Sequence, residues 1–283
     1  MRSVKPLLVA GVAAFLSTAA HSADLPIMPP PYMPPPVHDF GGWYLRGDIG
    51  ISNQQVKRLD NALDSTLFTQ DQRLNFDSAG IFGLGVGYKF NNWFRMDATG
   101  EYRSSATFHG LDLNTFSTGA VGTGTGFGVD NYHASKSEWL VLANAYVDLG
   151  TWWCITPFIG AGVGAARVTI ANFTDQGLTN DGVNPLAPSS AYADTASKWN
   201  FAWAAHAGLA YQVTPNVTME LAYRYVDLGS GITGDIRPFD GPGSVVNPMT
   251  FSHITSHDVK LGLRWACCDV PPPPPPPPLI RKG

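Results

Sequence analysis

Cysteine is scarce in this chain, with Cys154, Cys267 and Cys268 the only three in 283 residues. So few exclude a disulfide-built scaffold, and their spacing fits no zinc site. Charged residues are also few, at 14%, with a formal net charge of -4 and no lysine or arginine cluster, which excludes an obvious nucleic-acid partner. Nor does any apolar run reach the ~18 residues that a membrane-spanning helix needs. What the chain has in quantity is glycine (30), proline (23) and aromatic residues (12%).

The first residues have the order of a secretory signal: positive Arg2 and Lys5, an apolar stretch Leu7–Leu16, then the mostly small residues Ser17–Ala23. Cleavage after Ser22 leaves small residues at both recognition positions, so residues 1–22 are excluded from the fold. Residues 23–41 are proline-rich and favour an extended polyproline II segment.

From Trp43 onward, apolar residues recur with period two, the signature of strands with one apolar face. Eight windows show it: Trp43–Ser52, Ile81–Phe90, Phe94–Arg103, Glu138–Leu149, Phe158–Ala165, Lys198–Val213, Val217–Val226 and His257–Trp265. Their connections alternate between short (91–92, 150–156, 214–216) and long (about 53–79, 104–135, 171–197 and 229–256). Asn91-Asn92 is a tight-turn signal. In all eight windows the apolar face carries no charge. A soluble barrel needs the reverse, with charges outside and apolar residues within. An even strand count, alternating connections and an apolar exterior together predict an all-β, eight-stranded antiparallel up-and-down transmembrane barrel over 42–265. It would have four long extracellular loops and three short periplasmic turns. Trp43, Phe90, Trp93, Phe94, Tyr211 and Trp265 then fall in an inner aromatic belt, and Tyr102, Trp139, Trp199, Phe201 and Tyr225 in an outer one.

The opposite face points into the lumen. It carries Arg46, Lys89, Arg95, Arg103, Lys198, Arg224, Lys260 and Arg264 against Asp48, Asp97, Glu101, Glu138, Asp148, Glu220 and Asp258. Near-balance predicts mutual ion pairing, because a buried unpaired charge is expensive; an ion-selective pore would show rings of one sign. The inward glycines, among them Gly83, Gly160, Gly162 and Gly262, make room for long side chains. A plugged lumen is expected, with a narrow water-filled passage as the alternative.

Chemical-looking motifs read as structural. Gly83-x-Gly85-x-Gly87 and Gly160-x-Gly162-x-Gly164 alternate on strands and open no helix, so they are not phosphate loops. His253 and His257 have a metal-like spacing but lack the helix and the glutamate of the metalloprotease motif, and His133 with Ser135 reads as ordinary loop polarity. No catalytic, cofactor-binding or metal-binding residue is expected. Function is sought in the loops. Ser117–Gly128 reads as a mobile segment, and the apolar residues within Val56–Leu67 predict a short helix on the rim. Both termini would be periplasmic, placing Cys154 on the same side as Cys267 and Cys268. The periplasm permits disulfides, so Cys154 is expected to pair with one of them. Pro271–Pro278 would form a rod of about 25 Å within a tail over 266–283.

On Gly42-Trp43-Tyr44-Leu45-Arg46-Gly47, Pro157-Phe158-Ile159-Gly160-Ala161-Gly162 and the closing strand with its terminal aromatic, the chain resembles the small outer-membrane β-barrel proteins of alphaproteobacteria. These include surface-antigen-type and OmpA-like barrels. The resemblance runs over Gly42–Trp265. It implies a non-enzymatic surface or structural role, whether in envelope integrity, adhesion or binding of a ligand such as haem, with a small porin-like channel as the alternative. The partners it implies are outer-membrane lipid and lipopolysaccharide, the barrel-assembly machinery during insertion, and an extracellular ligand met through the loops. Two departures from the pattern stand out: no periplasmic peptidoglycan-binding domain is seen, and the last strand is followed by further residues.

Overall fold

Ten strands form where eight were expected: β1 (Trp43–Asp60), β2 (Leu67–Phe76), β3 (Ala79–Lys89), β4 (Phe94–Ser117), β5 (Thr125–Asp148), β6 (Ile155–Asn180), β7 (Ala187–Ala193), β8 (Ala196–Thr214), β9 (Val217–Pro238) and β10 (Pro248–Ala266). The structure, a computed structural model, describes residues 41–118, 124–181, 186–241 and 245–267. The export signal, nearly all of the proline-rich leader, residues 119–123 of the Gly/Thr/Ser-rich segment and the tail from Cys268 lie outside the described residues.

All pairings are antiparallel. They run β1–β3–β4–β5–β6–β8–β9–β10 and return from β10 to β1, so the sheet closes into a ring. Closure leaves no edge for lipid to meet. The two additional strands sit at one end of this ring. There β2 pairs with the far half of β4, and β7 pairs with the far half of β6 and the end of β9. The short turns follow from local chemistry. Asn91 Oδ1 accepts from the backbone N–H groups of Trp93 and Phe94 at 3.0 and 2.7 Å, and Thr214 Oγ1 accepts from Val217 N–H at 3.0 Å.

The expected long loops are corrected by the strand lengths. β4 and β5 each have 24 residues and β6 has 26, about 80 Å at ~3.3 Å per residue. Crossing a bilayer takes only about 9–11 strand residues. The far half of the barrel therefore extends well beyond the apolar band. The rim helix expected over Val56–Leu67 is also corrected. Val56–Asp60 completes β1, one 3-10 turn spans Asp64–Thr66, and Leu67 begins β2.

The polarity of the wall inverts between the two halves. In the near half Ile49, Ile51, Phe82, Val141, Val163, Leu221 and Val259 point outward, with exposures from 53% at Val141 to 63% at Ile51. So large an exposed apolar surface marks contact with lipid. Tyr102 lies opposite Trp139, and Trp139 is joined through Arg167 to Trp199, forming an aromatic row at the outer margin of the band. Beyond that row the outward residues include Thr107, His109, Ser135 and Thr169, while Phe76, Phe108, Ile170, Phe173 and Phe251 turn inward and are buried. The far half is thus built as a barrel in water, apolar within.

Candidate functional site

The lumen of the near half holds the charged side chains. β1, β4, β9 and β10 bring most of them together, because residues two apart on a strand share a face. Asp148, Arg95, Glu220, Arg46, Asp48, Lys260, Glu101, Arg224, Asp258, Arg103, Glu138 and Lys136 form one continuous series of ion pairs, with Asp97 attached at Arg46 and Arg264 at Glu220. Seven cations therefore meet seven carboxylates, and the series is formally neutral.

Its centre is the tightest part. Arg224 donates through Nη1 and Nη2 to both oxygens of Glu101 at 2.8 and 2.7 Å, and through Nε to Asp258 Oδ2 at 2.9 Å. Arg103 forks onto the same Asp258 at 3.0 and 2.8 Å, and Lys260 reaches Glu101 at 2.5 Å. Two-pronged arginine–carboxylate contacts fix geometry as well as charge. Toward the start of β1 and the end of β10, Arg95 lies over the rings of Tyr146 and Phe158, 4.1 and 4.8 Å from their centroids. At the opposite limit Lys136 joins Glu138 and Gln54 and lies 4.6 Å from the Phe76 ring, where the charged layer meets the apolar one.

Glycines make this crowding feasible. A Cβ on Gly160 would stand 2.4 Å from Tyr146 Cδ1, and one on Gly262 would stand 2.5 Å from Asp48 Oδ1. The alternating-glycine strands thus serve the packing of the lumen, as their strand setting implied.

Above the charges is an apolar layer. Phe108 lies between Phe76 and Phe251, with centroid separations of 5.0 and 4.9 Å, and Leu59, Ile170, Leu228 and Ile254 surround them, all buried. One side of the charged layer is also apolar, where Leu140, Leu142, Ala166, Ala202 and Ala204 face inward from β5, β6 and β8.

Of the charges expected inside, Lys198 departs from the network: it is exposed and donates to Ser230 Oγ at 2.7 Å. Lys89 is half-buried at the rim, opposite Arg95 in the register. Sequence reasoning missed Lys136, which falls between the connection 104–135 and the window Glu138–Leu149 although it shares the inward phase of Glu138 two residues on. It also missed Asn144, which donates to Asp97 at 2.8 Å and Thr99 at 3.1 Å, and Ser256, which donates to Asp258 at 2.5 Å. Both lie in phase with charged neighbours. Cys154 is exposed in the β5–β6 turn and Cys267 follows β10; both are free thiols in the structure, and Cys268 lies outside the described residues.

Residues 9–265 match the family model described as outer membrane protein beta-barrel domain. An uncharacterized protein of Brucella abortus is 31% identical over 92% of this chain and 96% of its own length. Outer membrane protein PagN of Salmonella typhimurium is 31% identical over 66% of this chain and 75% of its own. A putative adhesin of Rickettsia bellii is 27% identical over 79% of this chain and 87% of its own.

Proposed function

We propose, for a chain that belongs to the outer membrane protein beta-barrel domain family, a non-enzymatic surface role. In it the barrel is a closed anchor in the outer membrane, and its far half presents a surface to the exterior. Both chain ends face the periplasm in this reading. The adhesin-named relative in Rickettsia bellii points the same way. Partners of the anchor are outer-membrane lipid, lipopolysaccharide and, during insertion, the assembly machinery.

The observation that carries the closed lumen is the burial of its contents: Arg95, Arg103, Arg224, Phe108 and Phe251 all have 0% exposure. Two chemically different layers lie in series, one of paired charges and one of packed aromatics. A hydrated ion would have to break both. The purified full-length protein, inserted in planar lipid bilayers, is expected to give no steady single-channel steps. Reproducible steps scaling with protein amount would replace this reading with the small-channel alternative.

A further inference from the structure

Above the apolar layer, at the barrel end remote from the start of β1 and the end of β10, is a cavity of ≈ 620 Å³. Its lining includes Asp64 from the β1–β2 connection, Asp112 from β4, Asp130 and Tyr132 from β5, and Asp175 from β6. No lysine, arginine or histidine among the described residues lines it.

Three of the four carboxylates are held by the sheet. Asp112 and Asp130 are directly opposed across β4 and β5, and Tyr132 is opposite Asp175 across β5 and β6. Like charges directly opposed in a sheet are unfavourable. Neutral donors hold one oxygen of each opposed carboxylate. Gln70 and Gln72 donate to Asp112 Oδ2 at 2.7 and 3.3 Å, and Asn114 donates to Asp130 Oδ2 at 2.9 Å. The remaining oxygens tell more. Asp112 is only 2% exposed, yet its Oδ1 has no hydrogen-bond partner, and Asp175 Oδ1 is likewise buried and unpartnered. Both residues line the cavity. A buried acceptor without a donor costs free energy that a bound donor restores.

The rest of the lining selects the kind of donor. Leu63, Phe116, Ile236, Pro238 and Met249 present carbon to the cavity. Its volume falls within the range of small-molecule sites, about 300–1,000 Å³. No three Asp, Glu, His or Cys side chains among the described residues converge closely enough to hold a metal ion. We infer that this cavity binds an organic cation, an ammonium or guanidinium group carried on an apolar stem, with Asp112 and Asp175 as its principal acceptors. The stem can belong to a free amine or to a basic side chain of a polypeptide.

Proton linkage supports the same assignment. Burial first, then the charges of Asp130 and Asp112, pushes the Asp175 carboxyl up to about 7. The groups facing it are Asp130 and Tyr132 on β5 and Asp112 on β4, with Asp64 also in the cavity lining; β7 places uncharged Ala191 opposite it. Asp175 is therefore ionised at pH 8 and largely protonated at pH 5.5, so affinity for a cation should fall between these two values.

The inference deepens the surface role proposed above. Its test uses purified, detergent-solubilised full-length protein, so failure to bind leaves the closed-anchor reading standing, and channel activity leaves the binding result standing. Calorimetric titration at pH 8 with agmatine and with an end-blocked Gly-Arg-Gly peptide is expected to give saturable binding. Affinity should weaken at least tenfold at pH 5.5 and at least tenfold in D175N, with D112N/D175N lower still. Heat-shifted gel mobility verifies that each variant is folded. Tighter binding of the peptide assigns the stem to a polypeptide, and tighter binding of agmatine assigns it to a free amine. No saturable binding by folded wild-type protein, unchanged affinity in folded D112N/D175N, or displacement of either probe by stoichiometric Ca²⁺ would overturn the inference.

Discussion

Replacing Glu101 by glutamine is expected to cost about 3–5 kcal/mol of folding stability, the range seen when one partner of a buried ion pair is removed. Glu101 is 1% exposed and accepts from two cations, Arg224 and Lys260. Arg224 keeps Asp258 as a partner, but Lys260 would retain only Asp48, at 3.5 Å. The amide keeps the volume of the side chain and one acceptor oxygen, so the loss is electrostatic and not one of packing. Urea unfolding of the protein in lipid vesicles measures it. The paired variant E101Q/K260M, which removes both charges and leaves a side chain of similar length, should recover most of the loss. If E101Q costs no more than an exposed pair, under about 1 kcal/mol, the network is not under the strong dielectric confinement that its burial implies.

How the charges meet was only partly legible in the sequence. Which face of each near-half strand carries charge follows from period two alone, and His257–Trp265 shows it plainly: Asp258 and Lys260 are buried, Val259 and Leu261 exposed. Which charge meets which depends on register and on reach across the lumen, and Arg103 meets Asp258 over a separation of 155 residues. The far half was misread for a definite reason. The wall changes polarity there, and several strands change phase at the same level. On β4 the inward series Arg95 to Arg103 is followed by Ala106 and Phe108, one residue out of step, where the β4–β5 register shifts between Arg103 and Ala106. On β6 the slip is at Asn172 and on β10 at His253, both with positive φ, 54° and 55°. Bulges of this kind add a residue and reset the alternation. A pattern sought as apolar-out therefore stops at the bulge, and the rest resembles loop. The cavity carboxylates at 64, 112, 130 and 175 have no sequence spacing that announces them; cross-strand pairing brings together the three on β4, β5 and β6, and the β1–β2 connection adds Asp64.

The inverted far half carries the second large prediction. Phe108 has 0% exposure and stands between Phe76 and Phe251. Phe108→Ala should cost about 3–5 kcal/mol, the range for truncating a buried phenylalanine to leave a cavity. The site of the loss distinguishes this change from the lumen variant. The far half has an apolar core of its own, separate in chemistry from the ion pairs beneath it, so its hydrogen-bonded backbone should open first. Amide exchange followed residue by residue should accelerate at Leu111 and Leu113 on β4, which pair with β2 and β5 beyond the lipid-facing band. Amides at Val141 and Ala143, within that band, should keep their wild-type protection. Equal loss of protection in both places would mean that the two halves unfold as one unit. The two seals should also fail independently. In F108A the charges from Asp148 to Lys136 still fill the near half, so planar bilayers should remain silent although the far half is loosened.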